Sequence, residues 1–280
     1  MISNKYKLIK QIGRGNFGKI YLGENLITGE EVAIKEEPLI NGTNLLKNET
    51  KIYNYLNAFS KKSKEDGIPC VKWFGVDSEK KNYYMVMDLL GSSLQSLMDA
   101  RGSFSLGTTL QIGIQLVKRL KFLHEQGLIH RDVKPDNFLI GIGKNSKTIY
   151  MIDFGFCKKY NEIDMDSSFK RTQRQSIIGT PNYASIRVHQ MLEPGRKDDL
   201  ESVIYMLIYF YFGKLPWDLP GIKNEEVLKM KRDLFECLLA QEQTQYECFP
   251  IEFINYISLL REQYLAPKYQ KLIFCLQKNN

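Results

Sequence analysis

His130-Arg131-Asp132-Val133-Lys134-Pro135-Asp136-Asn137 crowds an acid, a lysine and a carboxamide between two apolar segments, Gly127-Leu128-Ile129 and Phe138-Leu139-Ile140. At this spacing Asp132 is a candidate general base and Asn137 a candidate ligand for a divalent cation, the pair that phosphoryl transfer to a hydroxyl uses. A plainer reading stands beside it, because Asp, Asn and Pro also gather in turns for local reasons. The rest of the chain decides between them.

The 280 residues can bury a substantial core, as one large domain or two lobes. A hydrophobic content of 43% and a charged content of 25% are those of an ordinary globular protein. Met1 to Lys10 holds three lysines with no apolar run after them, so no targeting signal is expected. The longest apolar stretch, Val203 to Phe212, falls short of the ~18 residues that cross a bilayer and reads as a buried core helix. Cys70, Cys157, Cys237, Cys248 and Cys275 are odd in number and lack a C-x-x-C pair. A reducing intracellular compartment, cytoplasmic or nuclear or both, is the simplest inference. The histidines His124, His130 and His189 form no zinc spacing with them. The net charge of +7 favours acidic or phosphorylated partners, although nucleic acid or anionic lipid would feel the same field. The basic groups Lys61-Lys62-Ser63-Lys64, Lys170-Arg171 and Lys229-Met230-Lys231-Arg232 are short, and most such groups are solvated faces.

Tyr6 to Ile12, Lys19 to Glu24 and Glu31 to Glu36 alternate apolar and polar residues between turns, which predicts three strands. The first turn, Gly13-Arg14-Gly15-Asn16-Phe17-Gly18, is a G-x-G-x-x-G. In dinucleotide-binding folds that motif leads from a strand into a helix, whereas Lys19-Ile20-Tyr21-Leu22 predicts a second strand. A glycine-rich strand-turn-strand lets backbone amides approach phosphates without interference from Cβ atoms. In Val32-Ala33-Ile34-Lys35 the alternation sets Ala33 and Lys35 on one face, a small residue to admit a flat base and a cation for its phosphates. A helix over about 44–58 carries Leu45, Glu49, Ile52 and Leu56 at helical spacing. Glu49 on that stripe needs a partner, and Lys35 is the one at hand; a solvated Glu49 is the alternative.

Val71 to Val76 and Tyr83 to Asp88 complete a five-stranded small lobe, and Met87-Asp88-Leu89-Leu90-Gly91 reads as a hinge. A short helix near 92–100 and a long one near 106–126 follow, the latter with Leu106, Leu110, Ile114, Val117, Leu120 and His124 in a stripe. His124 there reads as a satisfied core histidine rather than a ligand. Thr148 to Ile152 predicts a strand delivering Asp153-Phe154-Gly155. A glycine-rich loop, V-A-I-K, H-R-D and D-F-G in this order resemble a protein kinase.

Four further stretches narrow the resemblance: His130 to Leu139, Gly179-Thr180-Pro181-Asn182-Tyr183-Ala184-Ser185-Ile186, Arg196 to Ser202, and Leu215-Pro216-Trp217. With Gly67-Ile68-Pro69 and Leu89 to Leu94 they resemble the casein kinase I family of Ser/Thr protein kinases, over about 6–256. Ser185-Ile186-Arg187 stands where most kinases carry A-P-E, as the S-I-N of that family does. The resemblance implies an α+β, bilobal fold in a single domain over 1–280: an N-lobe of about 1–88 with a five-stranded antiparallel sheet and one helix, a hinge at 88–91, and a mainly helical C-lobe of 92–280. It implies ATP and Mg2+. Lys35, paired with Glu49, would hold the α- and β-phosphates; Asp132 would accept the proton of the acceptor hydroxyl and Lys134 offset charge on the γ-phosphoryl. Asn137 and Asp153 would hold magnesium. The nucleotide would be covered by Ile12, Gly13, Arg14, Gly15, Asn16, Phe17, Gly18, Lys19 and Ile20. Ala33, Met87 as gatekeeper, Asp88, Leu90, Leu139 and Ile152 would surround the base. Asp199 would anchor the catalytic loop from beneath.

Substrates are expected to be acidic or pre-phosphorylated proteins acted on by a monomer, with no nucleic acid and no membrane span. One departure bears on that. Where the family carries an Arg that binds a phosphate upstream of the target serine, this chain has Asn182. Lys214, Arg174, Arg187 and Lys229 are candidates to compensate. With the sequence ending at Asn280, autoinhibition by a long tail is not expected, and activity is expected to be constitutive. Thr172, Ser176 and Ser185 are either phosphorylation sites or plain surface hydroxyls. Relaxed acceptor choice that includes tyrosine, or a binding scaffold with vestigial chemistry, are the competing readings.

Overall fold

The computed structural model describes residues 2–15, 18–39, 45–60, 66–77, 81–160, 176–240, 249–262 and 267–277. Its strands in chain order are β1 (Tyr6–Gly15), β2 (Gly18–Asn25), β3 (Glu31–Pro38), β4 (Val71–Asp77), β5 (Asn82–Asp88), β6 (Leu128–Ile129), β7 (Phe138–Ile140), β8 (Ile149–Met151) and β9 (Lys158–Lys159). The α-helices among the described residues are α1 (Leu45–Phe59), α2 (Leu94–Arg101), α3 (Leu106–Glu125), α4 (Ile186–His189), α5 (Arg196–Phe212), α6 (Asn224–Ala240), α7 (Ile251–Glu262) and α8 (Tyr269–Cys275). The chain forms two compact units, Met1–Ser92 with Leu139–Gly155, and Ser93–Phe138 with Phe156–Asn280. The sequence suggests one crossing at 88–91; the contacts add the return of Leu139–Gly155 to the first unit.

The first unit is built on an antiparallel sheet of order β1-β2-β3-β5-β4. The two-residue alternation of β3 sends Val32 and Ile34 into a core with Tyr6, Tyr84 and Val86, which leaves Ala33 and Lys35 on the opposite face. Gly18 opens β2 where a Cβ would lie 1.7 Å from Glu36 O, so only glycine lets β2 and β3 meet there. Helix α1 buries Leu46, Glu49, Thr50, Tyr53 and Leu56. The buried stripe is thus turned from the expected one: Leu45 and Ile52 stand half-buried at its edge, because the face centred on Glu49 and Tyr53 packs inward. Glu37 on β3, itself buried, takes the amide of Leu46 at 2.6 Å and so satisfies a donor that the helix cannot, at the end where its dipole favours an anion. β7 pairs with β8, and Met151 N donates to Gly67 O at 2.8 Å.

The second unit is mainly helical. Helix α5 buries Asp198 to Leu200, Ser202 to Ile208 and Phe210, the core helix expected from its unbroken apolar run. Helix α3 buries Leu110, Ile114, Val117, Leu120 and His124 as its period requires, and packs on α5. Ser93 and Ser105 cap α2 and α3, accepting from Ser96 N and Thr108 N. Helices α7 and α8 bury Phe253, Tyr256, Ile257 and Leu272, and Tyr256 donates its hydroxyl to Leu200 O at 3.0 Å. No described helix is long and apolar enough to cross a membrane.

Candidate active site

In the first unit Lys35 Nζ donates to Glu49 Oε2 at 2.7 Å, and both side chains are buried. Asp153 Oδ1 lies 3.6 Å from the same ammonium. Burial works against the lysine's charge, yet the fields of Glu49 and Asp153 outweigh it and leave its pKa raised. Asp153 sits at φ 63°, a left-handed conformation rare for a residue with a Cβ. Its N–H donates to Tyr53 Oη at 3.2 Å, and the Tyr53 ring meets Phe154 edge-on at 4.8 Å. Glu49 and Tyr53 stand one helical turn apart, so one face of α1 serves both Lys35 and Asp153.

In the second unit the loop between β6 and β7 is held by Asp199. Its Oδ2 accepts from His130 N and its Oδ1 from Arg131 N, each at 2.8 Å. His124 Nε2 lies 2.8 Å from Oδ2, and His124 Nδ1 lies 2.8 Å from Tyr269 Oη, so both ring nitrogens are engaged, as expected of a core histidine. Burial alone would raise the pKa of Asp199, but these bonds and the histidine charges hold it below the usual carboxylate range. The anchored Arg131 adopts φ 69°. Asp132, 3% exposed, is enclosed by its own loop. Lys134 Nζ lies 3.0 Å from its Oδ2, Asn137 Nδ2 donates to its carbonyl at 2.8 Å, and Thr180 donates its hydroxyl to Oδ1 at 3.0 Å. Lys134 also donates to Thr180 Oγ1 at 3.1 Å, which closes a triangle. Thr180 has no role in the sequence reading, although the Gly179-Thr180 pair lies within a stretch that carries the family resemblance. Gly179, at φ 78°, lies so close that a Cβ there would be 2.5 Å from Arg131 O.

The protein kinase domain matches residues 6–277 of the chain. The chain is a member of the protein kinase family. The kinase therefore takes ATP as its phosphoryl donor, usually with a divalent metal, and proteins as substrates. Each of the two expected metal ligands, taken within its own unit, has an oxygen to offer. Asp153 Oδ1 is buried without a hydrogen bond, and Asn137 spends its Nδ2 on Asp132, which leaves its carbonyl oxygen as the ligand it offers. No cluster of three or more His, Cys, Asp or Glu suited to a metal occurs among the described residues. Magnesium bound together with phosphates needs only one or two protein ligands.

The expected nucleotide residues of the kinase fall on adjacent strands of the first unit. Ile12 to Gly15 end β1, Gly18 to Ile20 open β2, and Asn16 and Phe17 lie outside the described residues. Ala33 pairs with Met87 across β3 and β5, and Met87 is buried. Leu139 in β7 and Ile152 after β8 are half-buried, as are Asp88 and Leu90. Asp88 also works away from any nucleotide: its carboxylate accepts from Cys70 N and pairs with Lys72 at 3.0 Å, and its N–H donates to Cys70 O. A cavity of about 370 Å³ touches Asp88 and Leu90 but none of Ala33, Met87, Leu139 and Ile152.

Two expectations about surface residues are corrected. Ser185 is no surface hydroxyl: it is buried, caps α4 through Val188 N, and donates to Asp198 Oδ1 at 2.5 Å. Lys231 does not belong to a solvated basic face. It is 0% exposed, while Lys229 and Arg232 beside it are exposed. Asn182 donates its Nδ2 to Asp218 Oδ1 at 3.2 Å, which puts an acid beside the residue that departs from the casein kinase I resemblance. Of the cations that were to compensate, Lys214 and Lys229 are exposed, Arg187 lies 3.7 Å from Asp198, and Arg174, like Thr172, lies outside the described residues.

Proposed function

We propose that this kinase is serine/threonine-directed and of casein kinase I type, a single monomeric domain that moves the γ-phosphoryl of Mg-ATP to hydroxyls of acidic or phosphorylated proteins. The observation that carries the acceptor class is the triangle of Asp132, Lys134 and Thr180. It places a lysine, rather than the alanine-and-arginine pattern of tyrosine kinases, against the base. In this reading Asp132 accepts the proton as the acceptor oxygen attacks the γ-phosphorus, and ADP departs. Lys134 offsets charge on the transferred group. Lys35, oriented by Glu49, binds the α- and β-phosphates; Ile12 to Ile20 cover the nucleotide; Ala33, Met87, Asp88, Leu90, Leu139 and Ile152 surround its base. Asn137 and Asp153 hold magnesium, which when bound neutralises phosphate charge. The acceptor segment lies against Gly179 to Ile186, which Thr180 ties to Asp132.

Transfer to casein followed by phosphoamino-acid analysis tests this. Phosphoserine and phosphothreonine are expected from the wild type, and Asp132→Asn is expected to lower kcat by about 10²- to 10⁴-fold with folding intact. Phosphotyrosine as the main product, or an Asp132→Asn enzyme as fast as wild type, overturns the assignment.

A further inference from the structure

Lys231 is the feature that the catalytic reading leaves unexplained. A lysine buried completely on α6 is costly, and replacing buried charges by well-packed apolar residues is often neutral or stabilising. Its surroundings account for the charge. The ammonium donates to Ala184 O at 2.6 Å and Pro181 O at 2.9 Å, and lies 3.2 Å from His189 Nε2. It stands 4.5 Å from the ring centroid of Tyr205 and 5.0 Å from that of Trp217. Trp217 Nε1 donates to Asn182 O at 2.9 Å. Two neighbouring buried donors therefore hold the carbonyls of Pro181, Asn182 and Ala184, a stretch with no strand or helix of its own to satisfy them. Thr180, bonded to Asp132 and Lys134, is the next residue along.

We infer that Lys231 is a positioning residue for the protein acceptor, setting from within the backbone shape of the 180–185 segment on which the acceptor hydroxyl is aligned with Asp132. The inference rests on reading that segment as the acceptor platform. It also says that this amine serves the protein's own carbonyls instead of an anion on the substrate. The titratable groups facing it are His189 on α4 and Glu201 and Tyr205 on α5. Burial and Lys231 pull His189 down to about 4, and burial and Glu201 push Tyr205 well up. Lys231 itself is drawn down by burial to about 7, with Glu201 opposing, and burial raises the carboxyl of Glu201 in turn.

The test is steady-state kinetics of the full chain with an unphosphorylated acidic serine peptide, across pH 6 to 9. Lys231→Met keeps most of the packing and removes the donor. It should raise the KM for peptide about tenfold, the scale of one to two charge-assisted hydrogen bonds, and leave the KM for ATP unchanged. In the wild type the KM for peptide should rise as pH climbs through about 7, and in Lys231→Met that rise should vanish. A folded Lys231→Met enzyme whose KM for peptide is unchanged, or whose peptide and ATP constants shift together, overturns the inference. Should that variant fail to fold, Glu201→Gln removes the charge facing the amine and should move the midpoint of the pH profile downward; an unmoved midpoint overturns it equally. A wild type that phosphorylates no serine peptide overturns the acceptor reading, and this inference with it.

Discussion

Lys35 and Glu49 are the clearest case of a site side chain that exists only because of its partner. Glu49 is 2% exposed and one of its oxygens has no hydrogen bond, so the ammonium is what makes its burial tolerable. Lys35→Met strands a buried carboxylate and should cost about 3–5 kcal/mol in urea unfolding, whereas Lys35→Met with Glu49→Leu should recover most of that loss. Equal stability of the two variants would mean that Glu49 is not held ionised by the lysine. This pair was legible in the sequence because a charge on an apolar stripe demands a partner and V-A-I-K offers one. Lys231 and Ser185 were not. Local spacing marks a lysine flanked by Lys229 and Arg232 as solvated, and what buries it is Tyr205, Trp217 and the carbonyls of a segment about fifty residues away, which no periodicity brings together.

At the scale of elements, α1 organises the candidate site residues of the first unit and α5 those of the second. Helical period predicted the extent of α1 to within a residue or two and marked 203–212 of α5 as core. The part Asp199 plays under His130 and Arg131 came instead from the family resemblance, and its bonds to both follow from its buried place at the start of α5. What periodicity could not supply is the bond from α1 to the backbone of Asp153, since Tyr53 meets its partner across a hundred residues of chain. If α1 sets the position of Asp153 as well as that of Lys35, Tyr53→Phe unpins the left-handed residue while keeping the ring against Phe154. Unfolding should show a loss of about 0.5–1.5 kcal/mol for the hydrogen bond. The magnesium concentration for half-maximal velocity should rise while the KM for peptide stays put. An unchanged magnesium dependence would confine Tyr53 to packing.

At the scale of the whole molecule, the proposed choice of acidic substrates would turn on how a net charge of +7 is spread. A guanidinium at position 182 would grip a phosphate at one point by two parallel bonds. Asn182 offers an amide already committed to Asp218, so that local grip is replaced by an acid. What remains is the diffuse field of exposed lysines, among them Lys214 on the loop that carries Trp217, whose indole binds Asn182. A diffuse attraction between solvated charges is screened over about 8 Å at physiological ionic strength, whereas a desolvated bidentate bond is screened much less. The kinase should therefore prefer phosphoserine over alanine at the third residue before the target only modestly. That preference should shrink both with added salt and in Lys214→Ala. Peptide arrays at low and high ionic strength read all three quantities. A large phosphoserine preference that survives both salt and the loss of Lys214 would mean that a specific phosphate site exists despite Asn182, and Asn182→Arg would then add little; under the diffuse reading Asn182→Arg should raise the preference and make it resistant to salt.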